Sequence, residues 1–235
     1  VRQYPKNAAM AFNLARALWI FGVQKEARNV FGHLIENHQN LTFQASVDGL
    51  LSHRVRILSD MFNYTDYYRL SVEALQQPAV IMRILDALVS GAHTYLAAAH
   101  LLHDQPARAL NNLERAVVLD RGNFAAHGLM VEALANVGDR EEALLRSFFT
   151  AINLYPPLLL RYGGEGMSAA LVLGRDDSAI DVLKKCILFF ARTSDANGQP
   201  LNISDNTKSA MRKHRGRLSG WIREIADKLV AGGRL

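Results

Sequence analysis

The sequence predicts an all-α protein built from antiparallel helix pairs, and three observations predict it. Only six of the 235 residues are proline, and no stretch alternates polar and apolar residues as a half-buried strand would. Long runs of Ala, Leu, Glu, Arg and Gln carry high helix propensity. An Ala-containing apolar pattern also returns at nearly regular intervals. Ala109 in "PARALNNLERAVVLDRGN" and Ala143 in "DREEALLRSFFTAINLYPP" lie 34 apart, and Ala179 in "RDDSAIDVLKKCILFFA" follows 36 further on. "VQKEARNVFGHLIENHQN" has the same layout, with Ala27, Phe31 and Leu34. A hydrophobic share of 49% against 21% charged residues excludes a disordered chain.

Taken in order, residues 1–7 read as the tail of a truncated preceding repeat, because Pro5 in "YPKN" stands where a repeat closes. The expectation is a piece of a larger repeat protein. Residues 8–41 hold the first full repeat, with Leu14, Ala15 and Leu18 on its first helix and Gly22 at its turn. Residues 42–89 contain helical text over 42–60 and 66–89, with Pro78 as an interruption. The separation of Ala27 from Ala109 is not a whole number of repeats, so this section is predicted to be a divergent repeat with an insertion. Residues 90–157 hold two repeats. One starts near Ser90 with Leu96 and Ala97 on its first helix; the other starts near Phe124, turns at Gly138 and Asp139, and places Ala143 on its second helix. Its register then slips by one residue, to Ala151 and Pro156. Residues 158–192 form a divergent repeat whose "RYGGEGMSAALVLG" puts Gly163, Gly164 and Gly166 into the first helix. Each glycine costs about 1 kcal/mol relative to Ala, which predicts a bent or shortened helix. Residues 193–207 are polar with Gly and Pro and read as a loop. Residues 208–235 read as one basic amphipathic capping or linker helix, its apolar face formed by Leu218, Trp221, Ile222, Ile225 and Leu229.

The recurring positions resemble the tetratricopeptide repeat (TPR), a helix-turn-helix unit of about 34 residues. The resemblance covers about 140 residues of the 235. It implies a right-handed superhelical array of antiparallel helix pairs, a TPR-like α-solenoid, whose first helices line a concave groove that binds a protein or peptide. Carried over by register, the groove places fall on Phe12, Asn13, Arg16 and Trp19 in the first repeat, Thr94, Tyr95 and Ala98 in the next, and Gly128, Leu129, Glu132 and Asn136 after it. Only Asn13 and Arg16 match the basic and amide clamp of the chaperone-binding members, and the Asn ladder of the sugar-transferring relatives is reduced to Asn13. The resemblance therefore implies a scaffold for protein–protein interaction that performs no chemistry. The alternative is the acceptor-positioning or regulatory TPR region of a larger bacterial glycosyltransferase or polysaccharide secretion component.

Candidate chemistry is sparse. His93, His100 and His103 share one helix but have no carboxylate at a matching step, so packing is the expected role and no metal or other cofactor is assigned. Cys186 lies among apolar residues and reads as a packed hydrophobe. "YGGEGMS" lacks the Lys-Ser/Thr of a phosphate loop, and Glu141, Glu142, Asp176 and Asp177 sit at helix starts, where they complement the helix dipole. No nucleophile, base and orienting group come together. The formal charge of +5 sits at one end: residues 208–235 carry eight Lys or Arg against two acids. Arg212, Lys213, Arg215 and Arg217 there form a possible anion-binding surface, although a charge run by itself specifies no ligand and nucleic acid is not the expected partner. No transmembrane segment is proposed, because no run of about 18 residues is continuously apolar. The compartment stays open between cytoplasm and, if an upstream part carries a signal, periplasm. Oligomeric state is left open as well.

Overall fold

The computed structural model describes residues 7–41, 77–138, 140–192 and 205–231. Ten α-helices lie among them: α1 (Ala8–Ile20), α2 (Gln24–Glu36), α3 (Pro78–Leu102), α4 (Pro106–Leu119), α5 (Phe124–Val137), α6 (Glu141–Leu154), α7 (Leu159–Val172), α8 (Asp176–Arg192), α9 (Asp205–Lys213) and α10 (Gly220–Ala231). The chain divides into two compact units, residues 1–126 and 127–235. The readings made for residues 1–6, 42–76 and 193–204 lie outside the described residues.

Four of the described helices end in a left-handed residue. Gly22, Asp104, Gly138 and Gly174, which follow α1, α3, α5 and α7, all have positive φ, between 54° and 77°. Three of these turns share the same pair of hydrogen bonds. After α1, the Gly22 amide donates to the Trp19 carbonyl and the Val23 amide to the Leu18 carbonyl. After α3 the pairs are Asp104 to Leu101 and Gln105 to His100; after α7 they are Gly174 to Leu171 and Arg175 to Ala170. This is the Schellman arrangement, which satisfies the last helix carbonyls and needs a left-handed residue that glycine adopts freely. Asp104 supplies it without being glycine. Asp104→Gly is expected to raise stability by about 0.5–1 kcal/mol, read as a higher urea midpoint at constant m.

These turns set the phase of the helices that follow. Buried side chains recur at Ala27, Phe31 and Leu34 on α2, at Ala109, Leu113 and Ala116 on α4, and at Ala179, Leu183 and Cys186 on α8. Each series begins five residues after the left-handed residue. On α6 it begins six residues after Gly138, with Leu144, Phe148 and Ala151. Ala143, expected at the buried place, is exposed. Gly138 stands three residues before the helix that follows it, where Gly22, Asp104 and Gly174 stand two, so the register slip precedes Ala143, and one residue rotates a helix by about 100°.

In the first unit α1 pairs with α2 and α3 with α4, while α1 and α2 pack on α3. The core there comprises Phe12, Val30, Phe31, Leu34, Ile84, Leu88 and their neighbours. Pro78 does not interrupt a helix but opens α3 at its first turn, where a missing amide costs nothing. The helix then runs 25 residues, straight through the expected repeat start at Ser90. α3 is long and apolar enough to cross a membrane by length and composition, with half of the apolar window buried inside the fold. Its packing on three neighbours makes it the central helix of this unit. Ser90 donates to the Ala116 carbonyl, Asn123 donates to both Ser90 Oγ and Thr94 Oγ1, and Asn123 Oδ1 accepts from the Ala126 amide. One buried amide thereby ties α3 to the start of α5.

In the second unit α6 packs on α7, α7 pairs with α8, and α9 and α10 cover α7 and α8. The glycine-rich α7 is 14 residues long, the same length as α4, α5 and α6, rather than shortened. Its glycines are contact points. A Cβ on Gly166 would lie 2.6 Å from the Phe148 ring, and one on Gly163 would lie 2.9 Å from Cys186 Sγ. The expected single terminal helix is two, α9 and α10, separated by a short 3-10 turn at Arg215–Arg217. Leu218 is buried behind that turn, and Arg223 donates to its carbonyl. Ile222 and Leu229, expected on the buried face, are buried, and Ala226 joins them, whereas Trp221, expected there too, is 58% exposed.

Candidate functional site

The groove residues separate by their distance from the left-handed turn residue. Ten residues before it stand Phe12, Thr94 and Gly128, and all three are buried. This corrects their assignment to a ligand surface. Phe12 packs edge-on against Phe31 and Tyr95, Thr94 belongs to the Asn123 network, and Gly128 leaves room for Tyr162, whose Cε2 would stand 2.9 Å from a Cβ there. The place faces the interior because it lies on the side of the first helix turned toward its neighbours.

The remaining groove residues reach the surface at least in part. In the first unit these are Asn13, Arg16, Trp19, Tyr95 and Ala98. Trp19 of α1 meets Tyr95 of α3 edge-to-face with ring centroids 5.7 Å apart. Tyr95 also stacks on Phe31 at 4.7 Å. The contact brings the first helices of two hairpins together, anchored on the core at one end and open to solvent at the other. Aromatic pairs of this geometry add about 0.5–1.5 kcal/mol beyond area burial and leave rigid, amphipathic surface.

In the second unit Leu129, Glu132 and Asn136 follow along α5, with Asn136 exposed. Glu132 accepts from Arg161 of α7 at 2.7 Å and from the Tyr162 hydroxyl at 3.5 Å. The Arg161 guanidinium also lies over the Tyr162 ring, 5.1 Å from its centroid. Burial, offset in part by Arg161, pushes the Tyr162 phenol up to about 12, so it remains a donor across the physiological range. The equivalent places on α7 are Gly164, Glu165, Ser168 and Val172, of which Ser168 and Val172 are exposed. The sequence reading stopped short of them because the glycines obscured the helix; continuing the same register through Gly174 finds them.

The cationic run at the other end of this unit is partly neutralised. Arg215 donates twice to Asp227 at 2.7 Å, and Arg217 pairs with Asp176 and Asp177. Hydrogen bonding to Arg215 holds the Asp227 carboxyl below its ordinary value. Arg212 and Lys213 project into solvent. Two of the four candidate anion ligands therefore already serve to hold α10 and α8 against the turn between α9 and α10.

A second concavity in the first unit, about 470 Å³, is lined by Ile35, Val89 and Val118 with His38, His93 and Arg115. His38 Nε2 lies 2.9 Å from Asp86 Oδ1, and His93 Nδ1 lies 2.9 Å from Asn112 Oδ1. Because the Asn112 amide nitrogen donates to the Arg108 carbonyl, its oxygen accepts and the proton sits on His93 Nδ1. Burial holds the His93 pKa below the ordinary value, with the Asn112 bond opposing and Arg115 and His38 reinforcing the shift. The folded state thus binds fewer protons than the unfolded one below pH 6.5. Stability is expected to fall as the pH drops from 6.5 toward the folded-state pKa, and His93→Gln should flatten that part of a urea-midpoint profile.

Among the described residues no three His, Cys, Asp or Glu side chains converge as metal ligands, and burial pushes the Cys186 thiol up to about 12. His100 Nδ1 lies 3.0 Å from Gln105 Oε1, across the turn that ends α3. What these sites define is an all-helical protein of packed neighbouring helix pairs with mixed aromatic, amide and charged surface on its first helices. A scan against protein-family models finds no match, and a search of curated proteins finds no relative.

Proposed function

We propose that the chain is a non-catalytic scaffold of tetratricopeptide type, a right-handed stack of helix pairs that binds a protein or peptide along its first helices. The reading rests on the Trp19–Tyr95 contact, which joins two different groove places of neighbouring first helices, three residues before Gly22 and nine before Asp104, into one platform flanked by Asn13, Arg16 and Ala98. The recurrence of a left-handed residue after α1, α3, α5 and α7 supports the repeat from which those places are counted. Aromatic anchors beside amide and guanidinium groups suit an extended peptide, whose backbone offers donors and acceptors and whose side chains fill the gaps between rings.

The test is selection of peptides from a random display library against the full chain, followed by titration of the enriched sequences with Trp19→Ala and Arg16→Ala. Trp19→Ala should weaken binding at least tenfold while costing about 1–2 kcal/mol of stability, because its ring is partly buried against the core. A variant that melts early but binds normally would assign Trp19 to the core, and the groove reading would fall with it.

A further inference from the structure

The cavity of about 470 Å³ in the first unit gathers groups that the peptide platform does not use. Its walls come from α2 (Ile35), the turn after it (His38), α3 (Val89 and His93) and α4 (Glu114, Arg115 and Val118). His93 lines this space while being only 6% exposed. Its Nδ1 proton is committed to Asn112, and Nε2 takes no hydrogen bond among the described residues. Arg115, three residues before Val118 and so on the same side of α4, is exposed and makes no ion pair among the described residues. Asp86 is already held by His38 at 2.9 Å, which leaves exposed Glu114 as the free acid beside the cavity. The charges close enough to act on His93 are Arg115 and His38, both opposing its protonation, and no carboxylate among the described residues offsets them. A buried imidazole in positive potential, beside an unpaired guanidinium and an aliphatic wall, favours the arrival of a negative charge.

We propose that this cavity binds a small organic acid, its carboxylate held between Arg115 and His93 and its hydrocarbon laid against Ile35, Val89 and Val118. A carboxylate suits the guanidinium because two parallel N–H donors can meet its two oxygens. It also suits His93. The anion favours the protonated ring, whose Nε2–H donates to it while Nδ1–H keeps its bond to Asn112. Binding therefore takes up a proton from solution wherever His93 is neutral beforehand. One unpaired guanidinium and one imidazole match a single negative charge, and Glu114 would repel a second, which disfavours a phosphate dianion. The volume lies within the usual range of small-ligand pockets, and the three aliphatic side chains give an apolar body surface to bury. The titratable and charged groups around His93 are Arg115 and Glu114 on α4, His38 after α2 and Asp86 on α3 itself. This site does not depend on the Trp19–Tyr95 platform.

The probe is octanoate, titrated into the full-length chain by calorimetry, with acetate and 1-octanol as controls that lack the tail and the charge. Octanoate should bind saturably, and both controls at least tenfold more weakly. Arg115→Gln should reduce octanoate affinity at least tenfold with the melting temperature unchanged, because the side chain is exposed, and Arg115→Lys should retain part of it. The His93 ring resonances, followed by NMR across pH, should report a pKa raised by about one unit or more under saturating octanoate. Affinity should rise correspondingly as the pH falls from about 7.5 to about 6, where a carboxylic acid is still ionised. Trp19→Ala should leave octanoate binding unaltered, which separates this site from the peptide platform. The proposal is overturned if octanoate does not bind, if Arg115→Gln binds it normally, if the His93 pKa is unmoved by it, or if Trp19→Ala abolishes the binding.

Discussion

Gly166→Val is expected to destabilise the protein by about 3 kcal/mol or more and Gly166→Ala by about 1–2 kcal/mol, while Gly164→Ala, two residues away on the same helix, stabilises it by about 0.5–1 kcal/mol. Both alanine substitutions gain the same helix propensity, about 1 kcal/mol. They differ in what the new methyl meets. At Gly164 no atom lies within 4 Å, whereas at Gly166 three ring atoms of Phe148 stand at 2.6–2.7 Å. The Phe148 ring is fully buried and cannot swing away, so α6 and α7 must separate or the ring must leave its rotamer. A urea titration of the three variants at constant m would settle the sign. Gly166→Ala more stable than wild type would mean that α6 and α7 do not approach closely at this point.

The second large effect is expected at Phe31. Its ring is fully buried, packs edge-on against Phe12 at 5.6 Å and stacks on Tyr95 at 4.7 Å, so it links α2 to both α1 and α3. Phe31→Ala should cost about 3–5 kcal/mol, a large part of the roughly 5–15 kcal/mol that holds a typical domain folded. Phe21→Ala, ten residues earlier and mostly exposed, should change stability by no more than about 0.5 kcal/mol. Thermal melts followed by circular dichroism would show both. Near-equal losses would place Phe21 in the core.

Much of the local architecture was legible in advance. Gly22 and Gly138 were read as turns, and Ala27, Ala109 and Ala179 as markers of the second helices; these alanines are buried. Such features depend on neighbours within two turns of helix. The misreadings share another cause. Ala143 missed its place because counting by a fixed repeat length does not reveal that Gly138 stands one residue further from its following helix than Gly22, Asp104 and Gly174 do from theirs. Pro78 and the glycines of α7 were read by average propensity, which cannot see a helix start or a neighbouring ring. Within the candidate groove, Phe12, Thr94 and Gly128 were correctly positioned along their helices but faced inward, since register gives a residue's angle and not what packs against it.

By itself the sequence determined that the chain forms helices, where several reverse through a left-handed residue, and which alanines pack inside, because hydrogen bonds and sterics over a few residues decide these things. Tertiary structure alone decided which helix faces are covered. Phe148 fills the space over Gly166, Tyr95 bridges Phe31 and Trp19, and His38, His93 and Arg115 come to line one cavity, because exposure depends on partners brought close by folding from distant parts of the chain.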